Sequence, residues 1–372
     1  MTMNRATARL QSAQRGFSLV EIMVGVAIGL IGILVITSTY ITHDNFTRST
    51  LGEGGAQTNG TVALFTLERD VRMAGYGLNH SSVLGCGTLN WYYNGNYSPN
   101  LQGGSPLPAL TVAPVYITQT AGAPDQITLM MSNDGFRMVP STLTTTAPAG
   151  TGDLSVNGTV GFDTGDLLLL VPSAGGATCS MAQITNVAAA SAKLSRASSA
   201  LYNPSGASLL PSYVTNDLVF NLGTPTVRTY SISSNKLRVN DVLLTVAGGS
   251  ATNIVDGIVD LKAEYGKDNG TDNGTVTSGS FVANDGVIDQ FSNTQPTTAA
   301  QWAQVLALRI AVLARIGSYE KPVGGVCTAT TASPTYASGS KTLSVPEGLP
   351  SCYRYRVFET VIPLRNMLWL AS

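Results

Sequence analysis

The first 42 residues contain the feature that most restricts how this chain can fold. The segment from Ile22 to Thr42 has 21 residues without a formal charge, most of them Ile, Val, Leu, Ala or Gly. As an α-helix with a rise of about 1.5 Å per residue, it is about 31 Å long, which matches the hydrocarbon thickness of a bilayer. The sequence therefore predicts one transmembrane helix near the amino terminus.

The charges on either side of this segment predict its orientation. Residues 1–16 contain Arg5, Arg9 and Arg15 and no acidic residue, and no basic residue directly follows the segment. This asymmetry predicts a cytoplasmic amino terminus and an exported remainder. A cleaved secretory signal is the alternative, but its apolar region would be only about 7–15 residues long and would end at small residues.

Glu21 is an unusual residue because it lies five residues into the hydrophobic block. A lone carboxylate costs about 2.5–3.5 kcal/mol at the centre of a membrane and less near an interface. Such a group therefore needs a partner. A chance acidic residue in a membrane anchor is the alternative interpretation.

The sequence Arg-Gly-Phe-Ser-Leu-Val-Glu at residues 15–21 resembles the type III signal of type IV pilins and pseudopilins at every position. The resemblance implies that a prepilin peptidase cuts between Gly16 and Phe17 and so removes residues 1–16 as a leader peptide. It also implies that the new amino group of Phe17 is methylated. Unlike a secretory signal, the apolar helix would stay on the mature protein.

The same resemblance implies a role for Glu21 in setting the register of assembly. The terminal ammonium of a neighbouring subunit is the natural partner for this carboxylate, and the pair would be strong in a low-dielectric environment. Gly25, Gly29 and Gly32 add a spacing that permits close approach of two helices. Glycines that merely face lipid explain that spacing nearly as well.

The helical pattern continues beyond the membrane. We expect residues 17–42 to form the transmembrane half of one helix and residues 43–78 its periplasmic half, with Gly52–Gly55 loosening or breaking it. The predicted apolar face comprises Val62, Phe65, Leu67, Val71 and Ala74, and the polar remainder comprises Glu68, Arg69, Asp70 and Arg72. Glycines at positions 75 and 77 predict the carboxy-terminal end of the helix.

Residues 79–372 are expected to form a β-rich globular head. The better strand predictions are residues 126–131, 166–171, 183–187, 236–246, 258–265 and 353–362. Residues 304–315 fit both a helix and a strand, and their β-branched side chains favour a strand. Residues 141–152 and 266–300 are expected to be long loops of an enlarged head.

Three segments of the chain, at residues 67–76, 161–171 and 355–366, resemble PilW-type minor pilins. The implied fold class is α+β and pilin-like. A long amino-terminal α-helix, first transmembrane and then amphipathic, would pack on an enlarged antiparallel β-sheet head.

Four cysteines, Cys86, Cys179, Cys327 and Cys352, suit an oxidising compartment. An even number predicts two disulfides with three possible pairings, and free buried thiols are the alternative. Many pilins close a carboxy-terminal loop with a disulfide, so the resemblance implies the pair Cys327–Cys352 and, with it, Cys86–Cys179. The chain has no C-x-x-C motif, which argues against zinc or thiol-redox chemistry.

Acidic and amide residues cluster between Asp268 and Asp272 and again near Asp289, and they are at first similar to a calcium loop. The EF-hand spacing fails, because the sixth position from Asp268 is Asn273 rather than Gly and the twelfth is Gly279 rather than Glu. Turn formation explains the Asn-Gly and Asp-Gly pairs without a metal. We therefore expect no cofactor, with calcium in the Asp268–Asp272 region as the alternative.

Composition and motifs argue against several other functions. Only 12% of the residues are charged and the net charge is −1, so no strong field attracts nucleic acid, and we expect no nucleic-acid partner. His43 and His80 are the only histidines, and the chain has no nucleophile elbow, phosphate-binding loop or zinc-protease motif. We expect no enzymatic activity. A membrane-anchored exported enzyme and a DNA-uptake protein are the alternatives from other classes.

The resemblance implies a minor pilin of a type IV pilus, within the complex that initiates pilus assembly and occupies the tip. Its partners would be other minor pilins, the major pilin, prepilin peptidase, the inner-membrane assembly machinery and a tip adhesin. Before assembly it would reside in the bacterial inner membrane with a cytoplasmic amino terminus, and afterwards at the pilus tip or cell surface. A minor pseudopilin of a type II secretion system is the alternative.

Overall fold

The computed structural model describes residues 16–78, 80–84, 86, 88–98, 107–133, 139–173, 178–204, 211–272 and 281–368. The chain divides into two compact units, Met1–Gly52 and Glu53–Ser372. The first unit contains the amino-terminal part of one long helix. The second contains the rest of that helix and all the β-strands, and it is called the head unit below.

Helix α1 comprises the 55 residues Leu19–Met73 and is continuous through Gly52–Gly55, so the expected break there is wrong. Each internal glycine costs about 1 kcal/mol relative to alanine. An established helix gains a hydrogen bond for each added residue, and tertiary contacts beginning at Ala56 hold the next turns in place. The predicted end of the helix is confirmed, because Gly75 and Gly77 adopt positive φ angles of 77° and 73°.

The buried face of α1 in the head unit differs from the predicted apolar face. Leu67, Val71 and Ala74 are buried as expected, but Val62 and Phe65 are exposed and Asp70 is fully buried. The buried residues follow one another at intervals of three or four, which places them in a single stripe along the helix. Phe65 lies two residues before Leu67 and therefore falls on the opposite side. The stripe consists of Ala56, Gly60, Ala63, Leu67, Asp70, Val71 and Ala74.

Nine strands in two antiparallel sheets pack around this stripe. The four-stranded sheet has the order β16–β15–β17–β20, with β15 at Ile258–Lys267, β16 at Gln290–Ser292, β17 at Val305–Arg315 and β20 at Tyr355–Pro363. The five-stranded sheet has the order β14–β13–β12–β4–β3, with β3 at Val115–Thr118, β4 at Gln126–Met131, β12 at Thr226–Ser233, β13 at Lys236–Asp241 and β14 at Thr252–Asp256. The prediction that residues 304–315 form a strand is confirmed.

The remainder of the head unit forms a second set of sheets with their own apolar cores. The six-stranded sheet has the order β2–β1–β8–β7–β11–β5, with β1 at Thr88–Tyr93, β2 at Asn96–Ser98, β5 at Ser141–Thr142, β7 at Leu167–Val171, β8 at Thr178–Gln183 and β11 at Leu218–Gly223. A three-stranded sheet joins β6 (Gly152–Ser155), β10 (Lys193–Arg196) and β9 (Asn186–Ala188), and a small hairpin joins β18 (Thr335–Tyr336) to β19 (Lys341–Thr342). The strands pair antiparallel except β1 and β8, which are parallel.

Two strand predictions are wrong in their bounds. Residues 183–187 bridge the end of β8 and the start of β9, with Ile184 and Thr185 outside both strands. Residues 236–246 end as a strand at Asp241, whose carboxylate accepts a hydrogen bond from the backbone N–H of Leu244. This N-cap starts the short helix α2, Val242–Val246.

The expected loop segments contain some regular structure. The segment 141–152 includes β5, and the segment 266–300 includes β16 and the start of helix α3, Ala299–Ala303. A short carboxy-terminal helix, α4, comprises Arg365–Leu368. The α+β class is confirmed, because one long amino-terminal helix precedes a head of mostly antiparallel strands.

Candidate assembly site

The amino-terminal segment presents the predicted processing residues in an accessible form. Gly16, Phe17 and Ser18 precede the helix, and the side chain of Phe17 is 81% exposed. The backbone N–H of Ile22 donates to the carbonyl of Ser18 at 3.1 Å, which closes the first turn. Glu21 lies exposed in that turn, where the helix dipole favours a negative charge.

The first unit is covered with exposed apolar side chains. One helix in the described part of the chain is long and apolar enough to cross a membrane. The hydroxyls of Thr39 and Thr42 donate to the carbonyls of Val35 and Ser38, each at 2.9 Å. These internal bonds satisfy polar groups that hydrocarbon would leave without partners.

Among the described residues of the first unit, none packs against the glycines of this helix. An added Cβ at Gly25, Gly29 or Gly32 would meet nothing within 4 Å. The spacing of these glycines therefore has no role in packing within one described chain. Their role in contacts between subunits stays a prediction.

In the head unit, Asp70 connects α1 to the sheet. Its carboxylate accepts hydrogen bonds from Arg228 Nη1 at 2.7 Å and Tyr230 Oη at 2.6 Å, both on β12, and from Arg69 Nε at 3.0 Å. Burial opposes ionisation of Asp70, but the hydrogen bonds from Tyr230, Arg228 and Arg69 outweigh it and hold its pKa below the usual value. Asp70 is therefore a buried anion with three donors.

Two further contacts hold the same helix in the head unit. Gly60 lies against the ring of Phe358 on β20, and an added Cβ there would come within 2.2 Å of a ring carbon. At the helix end, the amide Nδ2 of Asn366 donates to the carbonyls of Met73 and Ala74 at 3.2 and 3.0 Å. These carbonyls belong to the last turn, where the helix itself provides no donor.

The structure joins the cysteines as two disulfides, Cys86–Cys179 and Cys327–Cys352. These are the two pairs that the resemblance implies. The Cα atoms of the first pair lie 5.6 Å apart and those of the second pair 4.6 Å apart, within the range usual for disulfides. The first bond connects the turn after α1 to β8, and the second closes the segment that precedes β20.

The segment closed by Cys327–Cys352 covers the outer face of the four-stranded sheet. The backbone N–H of Ser344 donates to Asp260 at 2.6 Å, and that of Ala337 donates to Glu359 at 3.0 Å. Lys341 forms an ion pair with Glu264, a buried carboxylate that also lies 3.4 Å from Arg309. Tyr336 and Leu343 pack with apolar residues of β15 and β17. This segment is therefore anchored by both charge and apolar contact.

The acidic loop has internal partners for two of its carboxylates. Asp268 accepts hydrogen bonds from the backbone N–H groups of Asn284 and Gly286 at 2.5 and 2.7 Å, and Asp289 accepts one from Gly270 at 2.5 Å. Residues 273–280 lie outside the described part of the chain. Among the residues that are described, no three His, Cys, Asp or Glu side chains form a group that could hold a metal ion. The expectation that no calcium binds here stays a prediction.

Neither histidine belongs to a group of potential metal ligands among the described residues. His43 is an exposed residue of α1. His80 accepts a hydrogen bond from the backbone N–H of Ser82 at 3.2 Å and packs edge-on against Phe220, and burial lowers its pKa. These contacts give His80 a structural role in the turn after α1.

Comparison with known proteins gives two family matches. The prokaryotic N-terminal methylation motif matches residues 11–37, and type IV pilus-assembly protein W matches residues 224–366. No curated protein matches the chain. Among solved structures, the chain is similar to a type IV-like pilin from Thermus thermophilus, at 16% identity over 55% of this chain and 87% of that chain, with a TM-score of 0.22.

The methylation-motif match lies at the start of α1, where the sequence is similar to type IV pilins. The second match covers β12 to β20, which include seven of the nine strands of the two sheets that pack around α1, and this part of the chain is similar to type IV pilus-assembly protein W. The resemblance to PilW-type pilins is therefore confirmed. The motif and the apolar helix are consistent with anchoring in a membrane.

Pattern reasoning missed the residues that fix α1 on the sheet: Gly60, Asp70, Arg228, Tyr230 and Asn366. Asp70 carried a signal, because it lies three residues after Leu67 and four before Ala74, within the buried stripe. Its charge led to its assignment to the polar face. Arg228, Tyr230 and Asn366 lie far from α1 in sequence, and Gly60 contacts a residue that is also far away, Phe358. Local spacing therefore does not reveal the roles of these four residues.

Proposed function

We propose that this protein is a minor pilin that joins other minor pilins in the complex that initiates type IV pilus assembly. The observation that carries the proposal is the pair of family matches, one on the amino-terminal segment and one on the sheets that pack on the same helix. In this role prepilin peptidase cleaves between Gly16 and Phe17, and Phe17 is then methylated. The inner-membrane assembly machinery then extracts the helix from the membrane, and subunits of the major pilin are added to the pilus after the minor pilins.

We further propose that the protein acts at the pilus tip as a structural subunit rather than as an enzyme. The size of the head supports this position, because a bulky head on every subunit would hinder packing along a filament. A tip subunit can also help to present an adhesin.

The test is complementation of a deletion strain with full-length variants, with pili counted by electron microscopy. We expect deletion to lower the number of pili at least ten-fold and the wild-type chain to restore it. Glu21→Gln should insert in the membrane but fail to restore pili, because it cannot pair with a terminal ammonium. Asp44→Asn is the matched control, since Asp44 is another acid of α1 that forms an i,i+4 pair with Arg48.

Unchanged piliation after deletion, with protein secretion lost instead, would favour a pseudopilin of a type II secretion system. Full restoration of pili by Glu21→Gln would overturn the assigned role of Glu21. Gold-labelled antibody against the head tests the position, and labelling along the whole filament would contradict a tip subunit.

A further inference from the structure

Strand β20 is the longest strand edge in the described part of the head. It lies last in the four-stranded sheet, with β17 on one side and no described strand on the other. It has nine residues, whereas the edge strands of the other sheets have two to five. Native proteins keep free edges short or cover them, because an open edge pairs readily with another chain. An edge of this length therefore calls for an explanation.

The register shows which backbone groups are free. Hydrogen bonds at 2.9 Å from Ile316 N–H to the carbonyl of Arg354, and at 2.8 Å from Leu364 N–H to that of Leu306, bracket the ladder. In the same register β17 pairs along all of β20. Hydrogen-bonded residues alternate along an antiparallel pair. The backbone N–H and C=O groups of the even-numbered residues of β20 therefore point toward β17, and those of the odd-numbered residues point away from the sheet.

The outward groups belong to Tyr355, Val357, Glu359 and Val361. No hydrogen bond connects their backbone N–H or C=O groups to the residues that the structure describes. Pro363 has no N–H and ends the series. Val361 is 45% exposed, so the edge is accessible at its carboxy-terminal half. The exposed row of alternating donors and acceptors is complementary to one kind of partner, an extended polypeptide backbone.

We propose that β20 receives an extended segment of a second, different subunit as a fifth strand of this sheet, and the proposal rests on the function proposed above. Arg356 lies beside the edge with its side chain 47% exposed and its nearest acid, Glu53, 3.8 Å away. It favours an acidic or hydroxyl side chain on the incoming strand. Cross-strand pairs of this kind stabilise sheet contacts.

Direction argues against antiparallel pairing of this edge with a second copy of the chain. Two copies that paired antiparallel through β20 would be related by a two-fold axis, and their Glu53–Met73 helical segments would run in opposite directions. In each copy the membrane-spanning sequence precedes Glu53 in the same continuous helix. Subunits anchored in one membrane need these segments to run the same way.

The test separates the backbone of the edge from its side chains. In producing cells, a photoreactive amino acid replaces Arg356 in the full-length chain, and mass spectrometry identifies the cross-linked peptide. Val361→Pro removes an outward N–H without removing a bond to β17, and proline is tolerated at such edge positions. Val361→Thr is the matched control, because it keeps the N–H and the β-branched shape.

We expect adducts to one segment of a different pilin-type subunit, with a yield at least ten-fold lower in Val361→Pro and within two-fold of wild type in Val361→Thr. Val357→Pro and Val357→Thr repeat the comparison if Val361→Pro lowers the melting temperature of the head. Equal yields from the proline and threonine variants would overturn the proposal, and so would adducts to a second copy of the chain. Those results are distinguishable from failure of the pilin function, which would appear as normal piliation in the deletion strain.

Discussion

Asp70 gives the sharpest test of how α1 is held in the head unit. We expect Asp70→Asn to destabilise the head strongly. The amide carries no charge, and its NH2 group takes the place of an oxygen that accepts a hydrogen bond from one of the donors Arg228, Tyr230 and Arg69. The buried hydroxyl of Tyr230 and the guanidinium of Arg228 then compete for one neutral oxygen. Breaking a buried ion pair by removing one partner costs about 3–5 kcal/mol.

The structure places this case at the lower end of that range. The side chain of Arg228 is 34% exposed and lines an open cavity of about 380 Å³, so water can solvate its charge after the change. The third donor, Arg69, is 58% exposed and contributes little. We therefore expect a loss of about 3 kcal/mol, which corresponds to a fall in melting temperature of about 4–5 °C for the head unit, given an unfolding entropy of about 2.1 cal/mol/K per residue.

The measurement is thermal unfolding of the full chain in mild detergent, followed by near-ultraviolet circular dichroism. Glu68→Gln is the matched control, since Glu68 lies on the same helix in a part-exposed pair with Arg72 and its loss should cost under about 0.5 kcal/mol. A melting temperature for Asp70→Asn within 1 °C of wild type, or an equal fall for Glu68→Gln, would refute the reasoning.

The pH dependence gives an independent check on the same residue. The pKa of Asp70 is lower in the folded state than in the unfolded chain, so the folded state holds fewer protons on this group. Its contribution to stability is therefore present above the unfolded value of about 3.9 and is lost as the pH falls through the folded value. The difference between wild type and Asp70→Asn should be constant above about pH 5 and should shrink below pH 4.

Two further predictions use the same unfolding measurement. Gly60→Ala should lower the free energy of unfolding by about 1–3 kcal/mol, because its Cβ would overlap the ring of Phe358 on β20. Gly54→Ala is the control: its Cβ would meet nothing within 4 Å, so it should raise the free energy of unfolding by up to about 1 kcal/mol. A Gly60→Ala variant more stable than Gly54→Ala would contradict the packing. Replacing Cys352 by Ser should cost about 3 kcal/mol, because Cys327–Cys352 closes a loop with a sequence separation of 25, and an unchanged melting temperature would show that the loop is held without the bond.

The sequence predicted the parts of the fold that depend on local pattern. The continuous apolar run predicted α1, and the β-branched residues of 304–315 correctly favoured a strand over a helix. Local pattern did not predict structural features that depend on contacts with residues distant in sequence or on a single hydrogen bond. The placement of Phe65 required knowledge of which side of α1 meets the sheet, and the turn of the chain after Asp241 depended on one capping hydrogen bond.

Two residues of the buried stripe of α1, Gly60 and Asp70, oppose a shift of the helix along the sheet. A shift by one turn, about 5.4 Å, would bring Ala56 or Ala63 to the place of Gly60, where a Cβ overlaps the ring of Phe358. The same shift would move the carboxylate of Asp70 away from its donors and leave it buried without a partner, which costs several kcal/mol. We infer that Asp70 and Gly60 together select one position of the helix on the sheet, Asp70 through its donors and Gly60 through its contact with Phe358.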